Sequence, residues 1–517
     1  MKASSSLQSS LHVGRRLFHM LIRAVHGPVT VMASLVLLAL CLGTAFFTTL
    51  ANQPVEPYVP GYFLSGLTVT LLQLALSLAV AFLTFCIPGA IVLGLLSPSW
   101  RRPLSGFLEV AADLPALAGC GLLLAAGFSS LTTIALVTGV SLGVRSLVEG
   151  LKASRELPEA FFHTAQSLRL TRMQLFRHLH LPLVFPAVGR GLIEDMPDFW
   201  VRLLGSQMLL FLYRPQQFSG WGGEVLQALA AGKPWAFVAL VLGASSLGIL
   251  FHQLLIRPLH HLLKGYESAL PANPYFFRSR IKLPGAVENS FFFSLGLFLA
   301  LLGGVVGLCG YAYTVHAMAE GVWELSLLFC ILTLPIFWAT GLFWLCGGSW
   351  ALQWKSVWCK TVRHALLFMA LFPFVFFYPL LREAGPILLA PFLLLWLTLQ
   401  GEMGGLVIKA AQNSRLREYF SQARKLQLPL LQEWLAIRLP LMLPAVMRGQ
   451  QILSWGGWNA AYLVLIFFFV PRLIGRDLPP VTHGIFLLCL TALIFGYRSF
   501  LLFPASAWLG RKYRLDS

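Results

Sequence analysis

Apolar residues fill the chain in runs of about twenty, with short polar clusters between them. A bilayer core takes roughly 20 apolar residues per helix, so the runs predict membrane spans at 29–50, 66–96, 106–127, 129–150, 189–212 and 235–256. A second set follows at 290–314, 322–348, 365–382, 385–408, 447–470 and 483–507. The run from Leu67 to Leu96 is longer than one crossing needs, which predicts a tilted or projecting helix. The expected fold is all-α and polytopic, with about twelve transmembrane helices.

One polar cluster is unusual. "RHLHLPLVFPAVGRGL", Arg177 to Leu192, is basic, carries two prolines and runs straight into an apolar segment. "IRLPLMLPAVMRGQ", Ile437 to Gln450, repeats the arrangement. Pro182 and Pro440 stand 258 positions apart, half the chain. The same offset, without gaps, pairs Ala165 with Ala423, Leu181 with Leu439, Pro186 with Pro444, Arg190 with Arg448 and Gly191 with Gly449. Further out it pairs Pro115 with Pro373 and Trp200 with Trp458. Apolar letters match by chance in such a sequence; Pro, Trp, Arg and Gly in one register do not. The expectation is two tandem six-helix repeats, parallel because the span number is even. The predicted division is a cytoplasmic segment at 1–28, a first repeat at 29–256, a linker at 257–289, a second repeat at 290–509 and a tail at 510–517.

Composition agrees with a bilayer. The chain is 57% hydrophobic and 11% charged, against roughly 25% charged in soluble domains, and its mean hydropathy is +0.75. The net charge of +18 does not indicate nucleic acid, because the charges cluster between apolar runs. Most of the Lys and Arg, including 152–190, 257–282 and 409–448, fall on one side of the predicted spans. The opposite loops, such as 52–62 and 316–321, hold almost none, with Arg214, Lys233, Arg382, Arg472 and Arg476 as exceptions. The positive-inside rule then places both termini in the cytoplasm. The eight cysteines are scattered without a CxxC and read as small packing residues. No P-loop, HExxH or GxSxG is present, and His178, His180, His260 and His261 read as solvated loop residues, so no ATP site, cofactor or metal is expected.

Each proline-ended loop reads as a short amphipathic helix, a turn and a second helix leading into the membrane, with Phe161, Ala165, Leu168 and Leu175 at helical spacing. Here the sequence resembles the permease subunits of bacterial binding-protein-dependent ABC importers, whose cytoplasmic loop has the form EAA, three residues, G, about nine residues, I-x-LP. Counting back from Leu181 and Pro182, the Glu-Ala-Ala positions fall on His163, Thr164 and Ala165, and the Gly position on Arg169. From Leu439 and Pro440 they fall on Ser421, Gln422 and Ala423, and on Gln427. The LP and the last Ala survive in both halves; the Glu and the Gly survive in neither. Since Gly permits a sharp turn, Arg169 and Gln427 predict a different or stiffer one. The stretch 219–255 is similar to the last-span region of nitrate/sulfonate/taurine-type permeases, and "GWNAA", with Trp458 and Asn459, to an element of their fused relatives. Gln207 stands where those helices usually carry Glu.

The resemblance implies a MetI-like, type I permease fold and a multi-pass protein of the bacterial inner membrane. It also implies two cytoplasmic ABC ATPase subunits as partners, docked near Arg172 in the first loop and Arg424 in the second. A periplasmic solute-binding protein would deliver a small solute, such as an anion of the nitrate or sulfonate type.

"GLIEDMPDFWVRLLGSQMLL" places Glu194, Asp195, Asp198 and Arg202 in one span, with 194, 198 and 202 on a shared face. Lipid exposure would cost a few kcal/mol or more per charge, so this face is expected to point inward. Pro197 should break the helix there. Two readings stand: these residues, with Trp200, Gln207, Trp458 and Asn459, line a translocation pathway, or an Asp198–Arg202 pair braces the bundle. For the whole chain the alternatives to an ABC permease are an ion-gradient-driven transporter and a non-transporting scaffold derived from a permease.

Overall fold

The computed structural model describes residues 60–95, 116–155, 181–213, 220–231, 234–252, 322–354, 356–371, 390–413, 427–469 and 489–502, with single positions between them. The expected spans at 29–50 and 290–314, both terminal segments and nearly all of the linker at 257–289 lie outside these residues. Every element among the described residues is helical.

Helix α1 (Pro60–Val80) passes through a π-helical turn, Ala81–Cys86, into α2 (Ile87–Leu95). Then come α3 (Ala118–Ala125), α4 (Ser130–Arg155), α5 (Leu181–Glu194), α6 (Met196–Tyr213), α7 (Trp221–Ala230) and α8 (Pro234–Phe251). The second half contains α9 (Val322–Ala351), α10 (Ser356–Leu371), α11 (Ala390–Ala411), α12 (Leu439–Phe469) and α13 (Cys489–Leu502). A helical turn, Leu430–Glu433, and a π-helical stretch, Trp434–Arg438, lead into α12. Shifting the sequence by 258 carries Leu181, the first residue of α5, onto Leu439, the first residue of α12.

Among the described residues four helices are long and apolar enough to cross a bilayer: Ser65–Gly89, Ser130–Ala153, Cys330–Ala351 and Phe392–Ala411. The protein is therefore an all-α membrane protein. Leu72, Leu83 and Ile87 on the first of these, and Ile331, Leu342 and Trp350 on the third, are exposed. Contiguous apolar surface of this kind suits lipid and not water. The second and fourth are more deeply buried and form the centre of each half. Small residues set their packing, as they do between helices in lipid. A Cβ at Gly139 on α4 would stand 2.7 Å from the Ser77 carbonyl of α1. One hydrophobic core joins the halves. There Gly205 on α6 faces Leu463 on α12, and Arg498 on α13 reaches Glu109 at 3.2 Å.

Two expected spans differ in extent. The described part of the run at 365–382 belongs to the helix Ser356–Leu371, which begins earlier than expected and brings Arg363 into helix. Within 106–127 the continuous described helix is the eight-residue α3.

Candidate functional site

Four charged side chains meet inside the first half. Arg145, midway along α4, donates to Asp195 and, at 2.6 Å, to Asp198. Arg202 on α6 donates to Asp195 and to Ser141, and its Nε lies 3.4 Å from Asp198. Arg202 is fully buried and Arg145 nearly so. Two cations facing two anions leave no net charge, which offsets much of the cost of placing them in the bundle. The local sequence explains the arrangement. Asp195 is a one-residue break between α5 and α6, and its two carboxylate oxygens face Arg145 and Arg202. Pro197 follows in the first turn of α6, where its missing N–H leaves no unmade helical bond.

Glu194 does not join the cluster. It is exposed, because the inward stripe of α6 runs through Asp195, Asp198 and Arg202 at spacings of three and four. The preceding residue therefore points about 100° away from the stripe. The expected Asp198–Arg202 pair is one edge of a four-membered cluster, and Arg145 is the nearer partner of Asp198.

A run of buried polar side chains continues from this cluster. Thr138 on α4 donates to Ser77 on α1 at 2.7 Å. Gln207 on α6 donates to Gln73 at 2.5 Å and to Thr70 at 3.1 Å, both on α1. Its carbonyl accepts from the backbone of Gly222 at 2.7 Å, while Thr70 accepts from Trp221 at 2.9 Å. Two otherwise unmet N–H groups at the start of α7 are thereby satisfied. Gly220 precedes them with φ 83, and a Cβ there would lie 2.7 Å from the Gln207 amide. All four helices carry this polar seam, yet its second-half counterparts are apolar. Arg145, Asp195, Arg202 and Gln207 correspond to Met403, Leu453, Ala460 and Leu465.

The remaining intramembrane candidates are packing anchors with polar tips. Trp200 donates to the Ala244 carbonyl of α8 at 3.1 Å. Trp458 lies against Phe337, ring centres 5.0 Å apart. Asn459 accepts from the backbone N–H of Leu117 at 3.2 Å and so ties α12 to the start of α3 across the two halves.

On the loop before α12, Gln427 has φ 50 and occupies the left-handed region. The chain takes this left-handed conformation with Gln where the resembled loop has Gly, at a backbone cost of about 1–2 kcal/mol. Side chains hold the loop around it. Arg417 donates to the carbonyls of Ala411 at 2.9 Å and Trp354 at 3.1 Å, joining the ends of α9 and α11. Arg438 is paired with Glu433 at 2.8 Å and lies over the Phe420 ring at 5.2 Å. Ser421 is exposed, as are Leu431 and Leu435 one helical turn apart. Leu439 and Pro440 open α12, and Leu181 and Pro182 open α5. In the first loop Thr171 and Gln174 bond reciprocally, with Gln174 Oε1 accepting from the Thr171 N–H at 2.9 Å, the pattern of a helix start. His163, Ala165, Arg169, Arg172 and Ala423 lie outside the described residues.

Comparisons with protein-family models, with curated proteins and with solved structures give no match. The chain's own residues therefore carry the functional reading. Sequence reasoning missed Arg145, Thr70 and Gln73. The available signals were a lone Arg within the predicted span at 129–150 and polar residues at i, i+3 and i+7 within 66–96.

Proposed function

We propose that this membrane protein is a fused permease, with both six-helix halves of an ABC importer in one chain. It moves a small solute, of the nitrate or sulfonate class of anions by resemblance, across the inner membrane. Separate ATPase subunits drive it and a periplasmic binding protein delivers the solute. The observation that carries this reading is the left-handed turn at Gln427. It falls at the loop position where the family places Gly, between a helical segment containing Ser421 and the helical turn Leu430–Glu433 that leads into α12. A loop fixed by Arg417 and Arg438 presents a pre-ordered surface, which lowers the entropy cost of docking.

Purification of the tagged chain from its native membrane should bring down a P-loop ATPase. Arg172→Glu combined with Arg424→Glu should lower that recovery several-fold while leaving the permease folded, since rim charges chiefly set complementarity and association rate. ATPase recovery unaffected by the double reversal would count against docking at these loops. An ion-gradient-driven transporter would copurify with no ATPase and lose uptake on addition of an ionophore; a scaffold would show neither.

The orientation has its own check. A reporter fused after Ser154 or Ser414 should behave as cytoplasmic, and one after Gln53 as periplasmic. The reverse pattern at any site overturns the assignment of sides.

A further inference from the structure

Helix α7 carries one acid, Glu224, in its first turn. The residue is 5% exposed, and its Cγ lies against Gly66 of α1, where an added Cβ would stand 3.1 Å away. Helices α1, α6 and α8 pack on α7. Neither α1 nor α8 contains Asp, Glu, Lys, Arg or His. On α6 the charged residues are Asp198 and Arg202, and both belong to the four-membered cluster. Gln207, which meets the start of α7, lies five residues further along. Glu224 thus has no cation facing it from any described element that packs against it. Burial pushes its carboxyl up to about 7, from 4.5, while the positive end of α7 opposes that shift and favours the anion. The site is poised to change charge near neutrality.

We propose that Glu224 is a proton-binding site of this protein, occupied in the docked state of α7, and that its emptying loosens α7 from α1. On deprotonation the carboxylic acid releases its proton to water and leaves an anion that faces no cation on the described helices packed against α7. That anion is relieved only if α7 turns it outward, which strains the two bonds clipping α7, from Trp221 to Thr70 and from Gly222 to Gln207. By the positive-inside reading this occurs at the extracytoplasmic end of the first half. The proposal requires the fold alone and stands or falls independently of any ATPase partner.

Hydrogen exchange of the 221–230 backbone, read by mass spectrometry on the full chain in detergent and corrected for intrinsic rates, tests it. Protection of wild-type α7 should fall about tenfold between about pH 6 and about pH 8, following proton linkage. In Glu224→Gln it should stay high throughout. Thr70→Val, which removes one clip and keeps the acid, should lower protection at both pH values. The stability readout has a definite sign. Glu224 is raised in the fold, so stability falls as pH rises from about 4.5 to about 7 and then levels off. Glu224→Gln should therefore melt higher than wild type at about pH 8, and the advantage should vanish towards about pH 4.5. Wild-type protection that does not change with pH, or a Glu224→Gln profile that follows the wild-type one, overturns the proposal.

Discussion

Asp198→Asn lowers the stability of the folded protein by about 3–5 kcal/mol, the usual consequence of removing one member of a buried ionic group. The Asn side chain fits the space and keeps hydrogen-bonding capacity. The loss comes from leaving Arg145 and Arg202 to share Asp195 alone. Adding Arg145→Met restores neutrality and should recover most of the stability. Arg202→Met should recover less, because Arg202 also bonds Ser141 and its contact with Asp198 is the longer one, 3.4 Å against 2.6 Å. Melting in detergent and solute uptake, measured on the same variants, separate the roles. Return of both in the Asp198→Asn, Arg145→Met protein assigns the cluster a bracing role. Normal stability with lost uptake in the single variant would instead place Asp198 on the solute path.

Gly401→Ala should be the most damaging small substitution in the second half. A Cβ at this position of α11 would lie 2.3 Å from the Ala370 nitrogen and 2.5 Å from its Cα, both in the backbone of α10. No side chain can rotate away, so the helices must separate, and overpacking of this kind costs about 1–3 kcal/mol. Gly405, four residues on in the same helix, has nothing within 4 Å of its added Cβ. Ala there should stabilise by about 1 kcal/mol through helix propensity. Thermal melts of the two variants should move in opposite directions. Equal shifts would mean that α10 and α11 are not in this close contact.

The helices that cross the bilayer were legible because roughly twenty consecutive apolar residues leave few other folds open. Ser130–Ala153 and the helix Val322–Ala351 lie within a few residues of their predicted spans. The inward turn of Asp195, Asp198 and Arg202 was legible for a related reason, since charge in an apolar helix must be shielded. Their partner was not. Arg145 lies 50 residues from Asp195 in the chain, and only the packing of α4 against the break before α6 brings them together. Glu194 was misplaced because spacings of i+4 and i+3 from Asp198 both describe a helical face, and tertiary packing chose between them. The left-handed conformation of Gln427 was not legible, because a non-Gly residue in that region has no sequence signature.

The break at Asp195 makes the two halves unequal as levers. A push applied at Leu439 enters a helix of 31 residues, roughly 46 Å long, that stays helical through the residues matching the break. The same push at Leu181 travels about 21 Å along α5 to Asp195, where backbone bonds to Gly191 and from Phe199 carry the helical path on and arginines from α4 and α6 grip the side chain. That displacement also loads the ionic clasp before it reaches Gly205 and the seam between the halves. The first arm is tied by its clasp to α4 and the second runs on as one helix, so displacements of equal size at Leu181 and Leu439 would reach the centre of the bundle unequally.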